Sequence, residues 1–235
     1  MTVSGLGVRY GQVRAIDDLN LTLRDGSVLG LIGPNGAGKS SFVDAVTGFV
    51  SAYNGEILVD GKQIDRLPAH ERVKVARVRR TFQTERTIPA LSVGEYLRLC
   101  GRGRIDESEL SSMLELCGAF ASHTKIATLD VGTRRLLEIA GALAARPRVL
   151  LLDEPAAGLG METSIRLAAA IRGFPAQYGC SVVLIEHDME VVRACCDDVA
   201  VLDFGRLIAA GPLEETLAQE IVADAYLGVD LAPTD

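Results

Sequence analysis

Gly33-Pro34-Asn35-Gly36-Ala37-Gly38-Lys39-Ser40 constrains this chain more tightly than any other stretch. A glycine, four free positions and then Gly-Lys-Ser let the backbone turn so that successive N–H groups point at one centre and cradle an anion. Lys39 is placed to reach terminal phosphates, and the Ser40 hydroxyl to ligate Mg²⁺. The apolar run Val28-Leu29-Gly30-Leu31-Ile32 before the loop reads as a buried strand, and Ser41 to Val46 after it as a helix. Strand, loop and helix in that order aim a helix N-terminus at bound phosphate.

A length of 235 residues suits one α/β domain with a full core and a smaller inserted subdomain. A net charge of −7 argues against a nucleic-acid partner held by a general electrostatic field, while leaving room for a local basic patch. No apolar run approaches the ~20 residues of a membrane span. The N-terminus has no basic stretch followed by an apolar one, so no signal peptide is expected. Cys100, Cys117, Cys180, Cys195 and Cys196 lack Cys-x-x-Cys spacing. They read as reduced thiols of a cytosolic protein, not as a metal site.

Strand-type and helical segments alternate, which predicts an α/β fold with a mostly parallel core sheet and helices on its faces. Segments 7–10, 19–23 and 55–59 alternate apolar and polar residues, as half-exposed antiparallel strands do, and Asp25-Gly26 and Asp60-Gly61 supply turns. A small antiparallel β subdomain is therefore expected beside the parallel sheet. From Pro89 to Arg146 the period becomes helical, with Val93, Tyr96, Leu97 and Leu99, then Leu110, Met113, Leu114 and Leu116. This block reads as an inserted α-helical subdomain. Core strands resume at 149–152, 181–185 and 199–202.

Val149-Leu150-Leu151-Leu152-Asp153-Glu154 is an apolar strand that stops on two acids. Such a stop places carboxylates at the sheet's C-terminal edge, where ligands of open α/β sheets bind. Asp153 is then expected to hold Mg²⁺ and Glu154 to be the general base for an attacking water. His187 follows another apolar strand, at the same sheet edge as Asp153, and is placed to contact a γ-phosphate. Gln83 follows Arg79-Arg80-Thr81-Phe82 and is placed to see Mg²⁺ and water. Tyr10 either stacks on adenine or packs as an ordinary aromatic of the small sheet.

Taken together, over nearly the full length, these residues resemble the ATP-binding subunit of an ATP-binding-cassette transporter, a P-loop ABC-ATPase fold. Tyr10 stands at that family's adenine-stacking position, Gly33 to Ser40 match Walker A, Gln83 the Q-loop and Val149 to Asp153 Walker B. Glu154 matches the catalytic glutamate and His187 the switch histidine. The resemblance implies a single cassette. Segments 1–85 and 147–235 form its nucleotide-binding core, and 86–146 its helical subdomain. ATP is held by Tyr10 and by Gly33 through Ser41, and Mg²⁺ by Ser40, Gln83 and Asp153. It implies a second ATPase subunit, identical or not, transmembrane permease subunits, and indirectly a substrate-binding protein, with this chain on the cytoplasmic face of the membrane. Leu137-Glu138-Ile139-Ala140, Pro155-Ala156-Ala157-Gly158-Leu159 and Glu186-His187-Asp188-Met189 resemble the subfamily that imports branched-chain amino acids. The basic run Arg72, Lys74, Arg77, Arg79 and Arg80 is either a solvated face or a surface for permease or lipid headgroups.

One segment departs from the family. Where the signature reads Leu-Ser-Gly-Gly-Gln, this chain has Leu129-Asp130-Val131-Gly132-Thr133. Aimed at a phosphate ~4 Å away, the Asp130 carboxylate would repel it by roughly 4 kcal/mol at an effective dielectric near 20. Asp is also a good helix N-cap, which is a structural reason for it. The resemblance therefore admits three readings: a full hydrolase in an asymmetric pair, a hydrolysis-poor regulatory cassette, and the cassette part of a permease–ATPase fusion.

Overall fold

Alternation along a few short strands decides the architecture. The computed structural model describes residues 1–82, 86–118 and 121–226. β1 (Thr2–Tyr10) and β2 (Val13–Thr22) form a hairpin, and β3 (Val28–Ile32) leads through the glycine loop into α1 (Lys39–Thr47). A second hairpin, β4 (Asn54–Val59) and β5 (Lys62–Gln63), is followed by the short α2 (Ala69–Glu71), a π-helical turn (Arg72–Ala76) and β6 (Val78–Arg80). Three α-helices come next, with a 3-10 turn (Ile126–Thr128) before the last: α3 (Val93–Cys100), α4 (Glu107–Leu116) and α5 (Val131–Ala144). The chain then returns through β7 (Val149–Asp153), α6 (Met161–Tyr178), β8 (Ser181–Ile185) and α7 (Met189–Cys195). It closes with β9 (Asp198–Asp203), β10 (Arg206–Pro212), α8 (Leu213–Leu217) and α9 (Glu220–Ala225).

Two sheets result. The small one runs β2-β1-β4-β5 and is antiparallel; the larger runs β10-β9-β3-β8-β7-β6, parallel except for the edge strand β10. Asp60 and Gly61 both adopt positive φ (50° and 73°), the pair of left-handed residues that a tight two-residue hairpin needs.

The strands β3, β7 and β8 are buried on both faces, so they read as continuous apolar runs. Their alternate side chains nevertheless go to different layers. Ile32, Leu150, Leu152, Val182 and Leu184 join a core with α3, α5, α6 and α7. Leu29, Leu31, Leu151, Val183 and Ile185 join a second core with α1 and the small sheet. The helical segments start where their caps dictate. Ser92 with Glu95 and Asp106 with Glu109 form capping boxes at the heads of α3 and α4. Val93, Tyr96, Leu97, Leu110 and Met113 are buried as their spacing predicts. Leu99 is not: it lies two residues beyond Leu97, on another flank of α3, and is exposed.

Candidate functional site

β3, β7 and β8 are parallel neighbours, so their C-terminal ends come out along one edge of the sheet. The glycine loop, Asp153-Glu154 and His187 therefore meet without being near in sequence. Two glycines are obligatory in that loop. At Gly33, φ is 148° and an added Cβ would lie 2.1 Å from the Leu202 carbonyl oxygen. At Gly38, φ is 104° and the Cβ would lie 2.5 Å from the Ala15 carbonyl oxygen. Both contacts are with backbone, which has nowhere to move.

The loop and its neighbours enclose a cleft of about 430 Å³ lined by Asn35 to Ser41, Glu154 and His187. Lys39 is buried and donates from Nζ to the carbonyls of Gly33 (2.6 Å) and Pro34 (3.0 Å). Burial lowers the pKa of its ammonium, an effect opposed by Glu154 and Asp153. Those two backbone carbonyls stand in for an anion that the ammonium would prefer.

Asp153, the last residue of β7 and the neighbour of Glu154, is almost fully buried. Its Oδ2 accepts from Arg80 Nη2 at 3.3 Å, and Arg80 also pairs with Asp44. Its Oδ1 has no hydrogen-bond partner. Burial raises its pKa, with the Arg80 charge opposing. A buried carboxylate oxygen left unpartnered is the kind of donor a hard divalent cation takes.

Glu154 turns the chain sharply, with φ of 50°, while its N–H donates to the Ile185 carbonyl at 2.9 Å. A non-glycine residue in this region is strained, and the strain swings the carboxylate off the sheet and into the cleft. There Oε1 lies 3.0 Å from His187 Nε2. Next to it, the buried Glu186 carboxylate accepts from the Ala156 N–H (2.8 Å) and from the His187 N–H (3.2 Å). It thereby ties the turn after β7 to the turn after β8.

Tyr10 does not line the cleft; it lies half-exposed at the end of β1, paired across the hairpin with Val13, which does. Gln83 lies outside the described residues. In the 129–133 segment, Asp130 is the N-cap of α5. Its Oδ1 accepts from the Thr133 N–H at 2.9 Å and its Oδ2 from the Thr133 hydroxyl at 2.6 Å. These two bonds hold its carboxyl below the usual range. The structural reason for Asp130 is thus realised.

Three further residues escape sequence reasoning. Arg14 and Phe204 line the cleft on the side of the small sheet. The turn carrying Phe204 is pinned there because Gly205 donates to Ala37 at 3.0 Å and Asp17 donates to Gly205 at 2.9 Å. Arg135 is buried on the inner face of α5. Its guanidinium donates to the carbonyls of Phe82, of Asp153 (3.2 Å) and of Glu154 (3.0 Å). A pair of charges, Arg135 and Glu138, interrupting an otherwise apolar helix face was the available signal.

The ABC transporter family model matches residues 16–157. The high-affinity branched-chain amino acid transport ATP-binding protein BraF of Pseudomonas aeruginosa is 35% identical, over 97% of this chain and 97% of its own. LivG of Escherichia coli, with the same description, is 30% identical with the same coverage of both chains. Among solved structures, the ADP conformation of MJ1267, an ATP-binding cassette of an ABC transporter, superposes with a TM-score of 0.84. It is 26% identical, and the match covers 97% of this chain and 98% of that one. With its glycine loop, its acid-ended strand and these relatives across its length, the chain belongs to the ABC transporter family as an ATP-binding, ATP-hydrolysing cassette.

Proposed function

We propose that this chain powers an importer of branched-chain or other hydrophobic amino acids, hydrolysing ATP at the cleft between Gly33–Ser41 and Glu154. The observation that carries the catalytic reading is the convergence of Glu154, His187 and the phosphate loop on one cleft, with the unpartnered Oδ1 of Asp153 on the residue before Glu154. The amino-acid reading is supported by relatives described as branched-chain amino acid transport proteins.

In this reading the N–H groups of 36–41 and the head of α1 hold the phosphates. Lys39 exchanges its two loop carbonyls for β- and γ-phosphate oxygens. Ser40 and Asp153, with Gln83, would hold Mg²⁺, which when bound would offset phosphate charge. Glu154 takes the proton of the water that attacks the γ-phosphorus, the bond to the bridging oxygen breaks, and ADP leaves with that oxygen. His187 holds the Glu154 carboxylate in place and meets the γ-phosphate.

The core, 1–85 and 147–235, carries this chemistry, and the helical part, 86–146, presents the head of α5 to a second cassette. Two cassettes close head to tail on two ATP molecules and reopen after hydrolysis. The segment following Gln83 couples that motion to permease subunits at the cytoplasmic face. Among the described residues no helix is long and apolar enough to cross a membrane, so the permease supplies the crossing.

The test is Glu154→Gln in the assembled transporter. ATPase turnover is expected to fall by roughly 10²–10⁴-fold with ATP binding kept. Near-normal turnover would overturn the assignment. Leucine uptake lost on deletion of the chain, with uptake of an unrelated sugar unchanged, tests the cargo.

A further inference from the structure

The basic run that the phosphate site does not use is divided by the fold into three parts. Arg72 is buried and structural: it donates to the carbonyls of Ala45, Val46 (3.1 Å), Asp65 (2.6 Å) and Leu67 (2.7 Å), closing the end of α1. Arg80 belongs to Asp44 and Asp153. The remaining three, Lys74, Arg77 and Arg79, line a separate cavity of about 280 Å³, where they meet Arg102, Arg104 and Arg146 from beyond α3 and α5.

Six cations face one concavity in a chain whose net charge is −7. Among the described residues only Arg146 has an ion-pair partner, Glu109 at 2.6 Å. Lys74, Arg77, Arg79, Arg102 and Arg104 have none. Arg79 is the most telling, because its Nε is buried and makes no hydrogen bond. Burial and the neighbouring Arg102 both disfavour its charge. Three of these arginines, Arg77, Arg102 and Arg146, stand at positive φ (52°, 55° and 51°), on turns that gather them around the cavity. Like charges crowded about a buried unsatisfied donor are a standing cost that an anion removes. Guanidinium groups match phosphate oxygens two by two, which names the anion's chemistry.

We propose that the cavity bounded by Lys74, Arg77, Arg79, Arg102, Arg104 and Arg146 is a second anion site, separate from the nucleotide cleft, that takes a phosphate-bearing group. The group is supplied either by an anionic phospholipid headgroup or by a soluble phosphate ester. Arg79 links it to the nucleotide cleft, since the next residue of β6, Arg80, holds Asp153.

The test uses the full chain saturated with ADP and Mg²⁺, so that the phosphate loop is filled. Pyrophosphate binding is measured by calorimetry. Co-sedimentation is measured with vesicles of phosphatidylcholine alone and of phosphatidylcholine with an equal part of phosphatidylglycerol. The double variant Lys74→Glu/Arg104→Glu is compared with Lys62→Glu/Arg66→Glu, which makes the same charge change at exposed positions elsewhere. The expected result is binding of at least one probe, weakened roughly tenfold or more by the first variant and unchanged in the second. Pyrophosphate binding without vesicle binding assigns a soluble ester; vesicle binding without pyrophosphate binding assigns a lipid headgroup. Failure of both probes, or equal weakening by both variants, overturns the proposal.

Discussion

His187 Nε2 lies 3.0 Å from Glu154 Oε1, although the two residues end different strands. β7 and β8 are paired in register up to Asp153 and Ile185, so each chain end emerges at the same level of the sheet edge. Glu186 then bonds both turns. The contact is a product of strand pairing and of one strained turn at Glu154, and it holds the carboxylate over the cleft.

Removing the imidazole should therefore disturb placement of that carboxylate more than nucleotide affinity. For His187→Ala, ATPase kcat is expected to fall about tenfold or more with KM for ATP changed little. His187→Gln, which keeps a donor, should recover part of the loss. A fall in kcat/KM arising wholly from KM would contradict this role.

The buried Asp153 makes stability depend on pH. Its folded-state pKa is raised from the ordinary 3.8, so in the window above 3.8 the folded form binds more protons than the unfolded form. Stability then falls as pH rises through that window, and the loss persists at neutral pH. Asp153→Asn is expected to melt at a higher temperature than the parent at pH 7 without nucleotide, and to lose that advantage below the unfolded-state pKa. The same variant should lose the extra thermal stabilisation that Mg²⁺ adds to bound ATP. A lower melting point at pH 7 would show that the Arg80 attraction outweighs burial.

Arg135 joins the head of α5 to the backbone of the Asp153–Glu154 turn. Arg135→Leu strips donors from three carbonyls and is expected to cost about 2 kcal/mol or more in urea unfolding. Arg135→Lys should not restore it, because one ammonium cannot span three acceptors held by a planar fork. A change within about 0.5 kcal/mol, the usual range for surface positions, would rule the clamp out.

At Asp130 the cap and the charge can be separated. Asp130→Ser keeps an N-cap acceptor and is expected to change stability by only a few tenths of a kcal/mol, whereas Asp130→Ala should cost ~1 kcal/mol. If the charge faces a partner's γ-phosphate, Asp130→Ser in the assembled pair should raise ATP turnover at the partner's loop. Unchanged turnover, measured with this chain's own site silenced by Glu154→Gln, would show that the Asp130–Thr133 cap keeps the carboxylate away from phosphate.

The phosphate loop, the acid-ended strand at Asp153 and the division into a small antiparallel and a larger parallel sheet were all legible in the sequence. Each is a local pattern: glycines where φ must be positive, apolar runs where both faces are covered, alternation where one face is wet. The caps at Ser92 and Asp106 are local in the same way. What could not be read locally was decided by packing across the sheet. Tyr10 and Val13 are neighbours on one hairpin, yet only Val13 reaches the cleft. Phe204 reaches it because Gly205 bonds Ala37, a contact across 168 residues of chain. The five residues of the basic run looked alike in sequence; the fold buried Arg72 as a helix cap, gave Arg80 to Asp153 and left Lys74, Arg77 and Arg79 around a cavity. A sequence specifies which residue types can bond and which backbone can bend. Which partner each charge meets depends on strand order and on where helices end, and those are properties of the whole packed chain.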